Sequence, residues 1–295
     1  INMATLAILI ACHNRREKTL ACLEAIYAQE VVGEIYLIDD GSTDGTSEAL
    51  KALYPKVHLF KGDGSLFWVG GMRLAFSEAL KVGYDYYLWL NDDTWLDKGA
   101  LAHLLDTHHR LAQQGYPTSI VVGSTRDRVT GELTYGGLQR SSRWHPLKFK
   151  RIEPSDRPQL CLTMNGNCVL IPHAVVEKVG ILDPAFIHRT ADYDYGLRAT
   201  KLGCSVWVAS GYVGSCARNA VGGTWEDASL PLKERWKRVV SPKGLSPREW
   251  KVFAQRYAGH FWYFYWLLPY IRIISSSSIA QMGFRQKQQP KNDSL

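Results

Sequence analysis

Short apolar runs alternate with segments whose apolar residues fall three and four apart, and this alternation organises the first two thirds of the chain. Runs of the first kind read as buried strands, and segments of the second kind as helices packed on them. Thr5–Ala11 is the first predicted strand, followed by a helical pattern from Glu17 to Ala28. Glu34–Ile38 predicts a second strand, Ser47–Leu53 a helix, Val57–Phe60 a third strand and Met72–Val82 a helix. Tyr86–Leu90 is a fourth strand, and a helix is expected near Leu101–Gln114. Strands separated by helices of this length predict an α/β fold, with a mostly parallel sheet and helices on both faces.

The pattern loosens over 124–160, which is polar and rich in Arg, Ser, Gly and Pro. An irregular insertion or a set of ligand-facing loops is expected there. Regularity returns in a strand at Asn167–Ile171, a helix near Ala191–Leu202 and a strand at Ser205–Ala209. Beyond these, Trp250, Phe253, Tyr257, Phe261 and Phe264 recur near helical spacing. The aromatic run Phe261–Ile271 is too short to span a bilayer and is interrupted or bounded by Pro269 and Arg272. The expected organisation is an α/β body over 3–230, a basic aromatic helical region over 231–280 and a disordered tail over 281–295.

Composition adds three constraints. The chain has 295 residues and is 46% hydrophobic, enough for a proper core. Its six cysteines form no CxxC pair, which favours buried, reduced thiols in a cytosolic protein over a disulfide or zinc framework. The short apolar run at 4–11 lacks a basic leader and a cleavage site, so no secretory signal is expected. The net charge of +7 is uneven: residues 233–295 carry 12 Lys/Arg against 3 Asp/Glu, and the rest is slightly acidic. That distribution argues against a nucleic-acid footprint over the whole protein. Basicity combined with Trp and Tyr suits the headgroup level of an anionic membrane, so 233–274 reads as a surface anchor. The alternative is a helix packed on the body or an oligomer interface.

The candidate chemistry sits at predicted strand ends. Asn91-Asp92-Asp93 closes the apolar strand Tyr86–Leu90. Two adjacent carboxylates there need a cation, because desolvating an unpaired anion is costly. Ligands of open α/β sheets bind beyond the carboxyl ends of the strands. A metal bridging a diphosphate would suit this place, and so would a turn with a helix cap. The first strand ends in Ala11-Cys12-His13-Asn14-Arg15, and the second in the acidic loop Asp39–Thr46. An Asp at such a strand end can accept the imide N–H of uracil or thymine, although the loop also reads as a capping turn. Gly70-Gly71 would permit a close backbone approach to a ligand, or a simple turn. Asp192 starts a predicted helix and suits a base or a cap equally, whereas Asp194 and Arg198 stand at ion-pair spacing. Neither GxGxxG after the first strand nor GxxxxGK[ST] occurs, which disfavours dinucleotide dehydrogenases and P-loop enzymes.

In this order the motifs resemble the family-2 glycosyltransferases of the GT-A nucleotide-sugar fold. The matching pieces are His13-Asn14-Arg15, Asp39–Thr46, Phe67-Trp68-Val69-Gly70-Gly71-Met72, Asn91-Asp92-Asp93-Thr94 and Asp192–Arg198. They span roughly residues 5–225, about three quarters of the chain. The Trp-Gly-Gly loop and the Gly-Leu-Arg ending look most like the bacterial branch that transfers rhamnose or galactofuranose to cell-surface glycans. The resemblance implies an inverting, metal-dependent transferase of O-antigen or polysaccharide synthesis. It would use a UDP- or dTDP-sugar donor, Mn2+ or Mg2+, and a glycan acceptor on polyprenyl diphosphate, at the inner face of the plasma membrane. It further implies that Asp192 is the general base and Asp93 the metal ligand. Ala11, His13, Arg15, Asp40, Trp68, Gly71 and Asp92 would contact the nucleotide-sugar, with Asp40 on the base. Asn165, Gly166, His188 and Asp194 would border the sugar and acceptor.

Ser215 stands where many relatives carry a metal-binding His. Arg218, Asn219 and Trp225 are candidates for a loop over the diphosphate, with core packing as an equal reading of Trp225. Two other readings stay open on sequence: a sugar nucleotidyltransferase, and an inactive membrane-bound sugar-nucleotide-binding protein.

Overall fold

The computed structural model describes residues 4–31, 33–219 and 221–287, with side chains described up to 276. Two compact units emerge: one of residues up to 143 together with 148–218, the other of 144–147 and the chain from 219 onward. The second unit thus starts before the expected boundary at 231 and takes in a short segment from the middle of the sequence.

In the first unit the elements are β1 (Leu6–Cys12), α1 (Arg16–Tyr27), β2 (Glu34–Asp39), α2 (Thr46–Leu53), β3 (His58–Lys61), α3 (Phe67–Val82) and β4 (Tyr86–Leu90). Then follow β5 (Trp95–Leu96), α4 (Ala100–Gln113), β6 (Ser119–Arg126), β7 (Leu133–Tyr135), β8 (Gly137–Arg140), β9 (Phe149–Arg151), β10 (Gln159–Cys161) and β11 (Thr163–Met164). The unit closes with β12 (Cys168–Pro172), α5 (His173–Val179), α6 (Ala191–Lys201) and β13 (Ser205–Ser215). The main sheet runs β10-β13-β6-β12-β4-β1-β2-β3, with β5 on β13 and β7 on β6. Neighbours from β4 to β3 are parallel, as are β6 and β13, whereas β12 runs antiparallel between β4 and β6.

The antiparallel β12 positions the site. Cys168 pairs with Leu90, so β12 begins where β4 ends. Residues 165–167 therefore enter the sheet beside Asn91, whose N–H donates to the Asn167 carbonyl at 3.0 Å. The strands are buried on both faces, as continuous apolar runs require in a parallel sheet. Among the described residues the largest fully buried side chains are Trp89 and Tyr87 of β4, Tyr195 of α6 and Phe76 of α3. Each contributes about 1.5–3 kcal/mol by leaving water.

Three expectations change. The segment 124–160 is more regular than its composition suggested: it supplies β7 to β10, with β8, β9 and β11 forming a small second sheet. Its three- and four-residue strands are too short to display a period. The unpredicted β6 hides behind buried Ser119, Ser124 and Thr125, whose polar side chains break the apolar run. Finally, α3 starts at Phe67 rather than Met72, so Gly70-Gly71 are helical. Gly71 is needed because a Cβ there would lie 2.8 Å from the Ala11 Cβ. Ala11 and Gly71 thus meet each other where α3 crosses β1, a packing contact. All six cysteines are buried and unbridged.

The second unit is helical: α7 (Leu232–Val239), α8 (Pro247–Tyr257), a 3-10 turn at Gly259–Phe261 and α9 (Trp262–Lys287). Trp250, Phe253, Ala254 and Tyr257 make the buried stripe of α8. Buried Arg235 donates to the Trp225 carbonyl (3.0 Å) and Ser276 Oγ (2.9 Å), so Trp225 belongs to this unit. Helix α9 continues into the segment expected to be a tail, and residues 288–295 lie outside the described residues. Among the described residues no helix is long and apolar enough to cross a membrane.

We predict that Gly71→Val lowers stability by about 1–3 kcal/mol, because the side chain meets Ala11 across a filled contact. A urea unfolding midpoint measures it, and an unchanged midpoint would refute the packing role.

Candidate active site

Every strand-end motif of β1, β2 and β4 opens at one edge of the sheet, as their parallel register requires. The loops there are laced together. His13 Nδ1 donates to the Asp40 carbonyl (2.5 Å), the Asn14 N–H donates to Ser42 Oγ (2.8 Å), and Asn14 Oδ1 accepts from the Thr43 N–H (2.7 Å). Asp39 accepts from the Ser42 N–H (2.9 Å) and the Ser47 hydroxyl. Asp40 is 4% exposed. Its carboxylate accepts backbone N–H groups from Gly64 (2.8 Å), Leu66 (3.3 Å) and Phe67 (2.9 Å). It anchors the loop before α3, satisfying donors that a helix start leaves open.

Asp92 and Asp93 are both buried, and one guanidinium nitrogen of Arg15 bridges them at 3.1 and 2.9 Å. Burial pushes the Asp92 carboxyl up to about 6, against the pull of Arg15 and with a further push from Asp93. A positive charge between the two carboxylates is what their burial demands. A divalent cation would draw on the same two carboxylate groups that now face Arg15. Among the described residues no group of three His, Cys, Asp or Glu side chains is assembled to cage such an ion. Its remaining ligands would come from the diphosphate, the usual arrangement for a hard cation in a nucleotide site.

The side chain beside Asp93 from the end of β13 is Cys216, not Ser215. Its Sγ lies 3.6 Å from Asp93 Oδ1 and 3.6 Å from Asn167 Nδ2. Burial, reinforced by the Asp93 charge, pushes this thiol up to about 12, so it stays protonated and donates to Asp93. The strand's bulge at 208–214 set the alternation off by enough to hide this from a sequence reading.

Asp192 lies in the first turn of α6, after Thr190 in the left-handed region (φ 60°). Its carboxylate accepts the N–H groups of Gly166 (2.9 Å) and Tyr193 (2.9 Å). Burial raises its pKa to about 6, opposed by these backbone donors. Gly166 has no room for a side chain: a Cβ would come within 2.7 Å of the Trp68 ring and 3.3 Å of Asp192. Trp68 Nε1 in turn donates to Asn91 Oδ1 (2.9 Å). A chain of direct contacts thus runs from Asp192 through Gly166 and Trp68 to the Asn91-Asp92-Asp93 loop.

Asn165 donates from Nδ2 to the Tyr193 hydroxyl (3.4 Å), and His188 sets its ring edgewise to Phe67 at 6.3 Å. Both therefore border the same group of residues. Asp194 does not: it is fully buried and bound to Arg198 Nε at 2.7 Å, while Arg198 also donates to the Val179 and Ile181 carbonyls. Its expected contact with acceptor or sugar gives way to an ion pair that fixes α6. Arg151 was not singled out by the sequence. It lies half-buried over the Tyr135 ring (5.5 Å), and burial and the charge of Arg218 both lower its pKa. The neighbouring β9 residue Phe149 packs edgewise on Tyr193 at 5.5 Å.

The sequence profile described as glycosyl transferase family 2 matches residues 7–180. The chain belongs to that family. It shares 27% identity over 221 residues with an N-acetylglucosaminyl-diphospho-decaprenol L-rhamnosyltransferase of Mycobacterium tuberculosis, covering 67% of this chain and 70% of the relative. The mannosyltransferase PcManGT of Pyrobaculum calidifontis, solved with GDP-Man and Mn2+, is 16% identical with a TM-score of 0.54, over 97% of this chain and 76% of that one. GalNAc-T7, solved with UDP, GalNAc and Mn2+, is 17% identical with a TM-score of 0.55. That match takes in 70% of this chain but only 42% of the GalNAc-T7 chain. These likenesses give the family-2 enzyme its GT-A fold, and family membership selects the glycosyltransferase reading over the nucleotidyltransferase one.

We predict that Asp194→Ala destabilises the protein by about 3–5 kcal/mol, because it strands the Arg198 charge. Chemical denaturation measures this. Nucleotide affinity of the folded fraction should stay unchanged, and a selective loss of acceptor binding without destabilisation would restore the contact role.

Proposed function

We propose that this family-2 enzyme is an inverting glycosyltransferase, moving a sugar from a UDP- or dTDP-linked donor to a glycan carried on polyprenyl diphosphate. Rhamnose or galactofuranose is the favoured sugar, and O-antigen or related polysaccharide synthesis at the inner face of the plasma membrane is the setting. The name of the mycobacterial relative, an N-acetylglucosaminyl-diphospho-decaprenol L-rhamnosyltransferase, supports rhamnose as the sugar and a polyprenyl-diphosphate-linked acceptor. The observation that carries the reading is Asp192: a half-buried carboxylate with its pKa raised to about 6, oriented by two backbone N–H groups and linked through Gly166 and Trp68 to the acidic strand end.

In this mechanism Asp192 takes the proton of the acceptor hydroxyl as its oxygen bonds to the anomeric carbon. The bond from that carbon to the diphosphate oxygen breaks on the opposite side, and the electron pair leaves with the nucleoside diphosphate. A base with a pKa just below neutrality is largely ionised at working pH yet still basic enough to accept a proton. Mn2+ or Mg2+, held by Asp93 with Asp92 alongside, would neutralise charge on the departing diphosphate. Arg15 is placed to follow that charge, since its guanidinium already faces both carboxylates. Trp68 and Asn165 border the place where the sugar and acceptor would meet.

Asp192→Asn should cost about 10²–10⁴-fold in transfer while leaving nucleotide-sugar affinity intact. Near-full transfer by that variant would overturn the assignment. In the unmodified enzyme kcat/KM should fall as pH drops through about 6, because protonation removes the base. A pH profile flat from 5 to 8, roughly the physiological titration range, would contradict it. Asp93→Ala should abolish Mn2+ binding by the enzyme–UDP complex, followed by electron paramagnetic resonance. Unchanged Mn2+ binding would remove Asp93 from the metal site, and donor hydrolysis absent from every form would favour the inactive sugar-nucleotide-binding protein.

A further inference from the structure

A surface helix ordinarily turns its polar side outward, and α9 does the opposite. Tyr270 and Ile273 are buried on one side of it, while Phe264 (52% exposed), Leu267 (42%), Ile271 (54%) and Ile274 (47%) form a stripe on the other. Their spacings of three, four and three residues place them along one face. Tyr263 and Phe261, 52% and 66% exposed, extend the same surface. Aromatic side chains flank it. Tyr265 donates its hydroxyl to the Trp144 carbonyl (2.6 Å), and Trp144 is 89% exposed. On the other flank Tyr270 packs against the ring of Trp236, which is 42% exposed. Among the described residues no helix is long and apolar enough to cross a bilayer.

We propose that this face of α9, with Trp144 and Trp236 at its edges, lies in the surface of an anionic lipid bilayer with the helix axis in the membrane plane. Charge selects this occupant. Over 233–276 Lys and Arg are exposed at several positions, among them Arg248, Lys251 and Arg272, whereas Glu234 is the one exposed acid. A second copy of the chain would bring this positive charge against itself, but an anionic headgroup layer attracts it. Lys251 rests over the rings of Trp262 and Trp266 at 5.9 and 5.8 Å, keeping a cation close to the root of α9. Indole and phenol rings at the stripe's edges suit the headgroup level, where one end of the ring is apolar and the other wet. The proposal deepens the lipid-linked acceptor reading by naming the surface that meets the lipid, and its test needs neither donor nor acceptor.

The test is flotation of the full chain with vesicles of phosphatidylcholine alone and of phosphatidylcholine mixed with phosphatidylglycerol. Unmodified protein should float with the mixed vesicles, more weakly at about 0.5 M salt, where exposed charges are screened. Phe264→Glu combined with Ile271→Glu should reduce flotation at least about tenfold, since each puts a charge into the stripe. Trp144→Ala should weaken it by less. Thermal melts verify that the variants fold. Flotation of the double variant equal to that of the unmodified protein would overturn the proposal, as would no flotation of either. A dimer of the unmodified protein that the double variant dissolves, seen by analytical ultracentrifugation, would assign the stripe to self-association instead.

Discussion

Two carboxylates buried side by side at the end of a strand are the constraint around which this fold is arranged. Taking such charges out of water costs on the order of several kcal/mol per ion unless they are paired. Asp92 and Asp93 meet that demand with a single guanidinium group from Arg15, on the loop after the neighbouring strand. To bring Arg15 there, the 13–15 loop must be held, and the hydrogen bonds of His13 and Asn14 to the 40–43 loop hold it. Asp40 in turn ties that loop to the start of α3. One electrostatic requirement therefore propagates through three consecutive strand ends, and it leaves a place where a cation is at home.

The other half of the site depends on backbone geometry more than on charge. The antiparallel β12 delivers Gly166 next to Asn91, and only a residue without a side chain allows the Trp68 ring and Asp192 to close on it. The N–H freed by that approach orients the Asp192 carboxylate. Asp194, two residues on, works in the opposite direction. Its buried pair with Arg198 locks α6 to the carbonyls before and after Gly180, so that the first turn of the helix, with its half-buried Asp192, stays put. Similar carboxylates on one helix thus acquire different tasks from their surroundings alone.

The basic second unit follows a separate logic. In α8 the aromatic residues Trp250, Phe253 and Tyr257 face inward and build its core. Past the turn at Gly259 the aromatic and aliphatic residues of α9 outnumber what one side can bury, and the surplus is left on the surface. The sequence showed one aromatic stripe from Trp250 to Phe264. In space it is split, with its first part spent on packing and its last part displayed.

Strand and helix order, the mostly parallel sheet and the strand-end position of Asn91-Asp92-Asp93 were legible from periodicity, because long buried strands carry their burial in the sequence itself. The helix-start position of Asp192 and the pairing of Asp194 with Arg198 were also legible, since both are local along the chain. The motif order carried the family. What could not be read were contacts set by distant backbone. The 62–67 loop folds onto Asp40, and α3 crosses β1 with Gly71 against Ala11. Cys216 faces Asp93 only because β13 bulges, which shifts which side each residue takes. A linear pattern encodes which residues leave water, whereas the pairing of strands and the crossing of helices decide which of them meet.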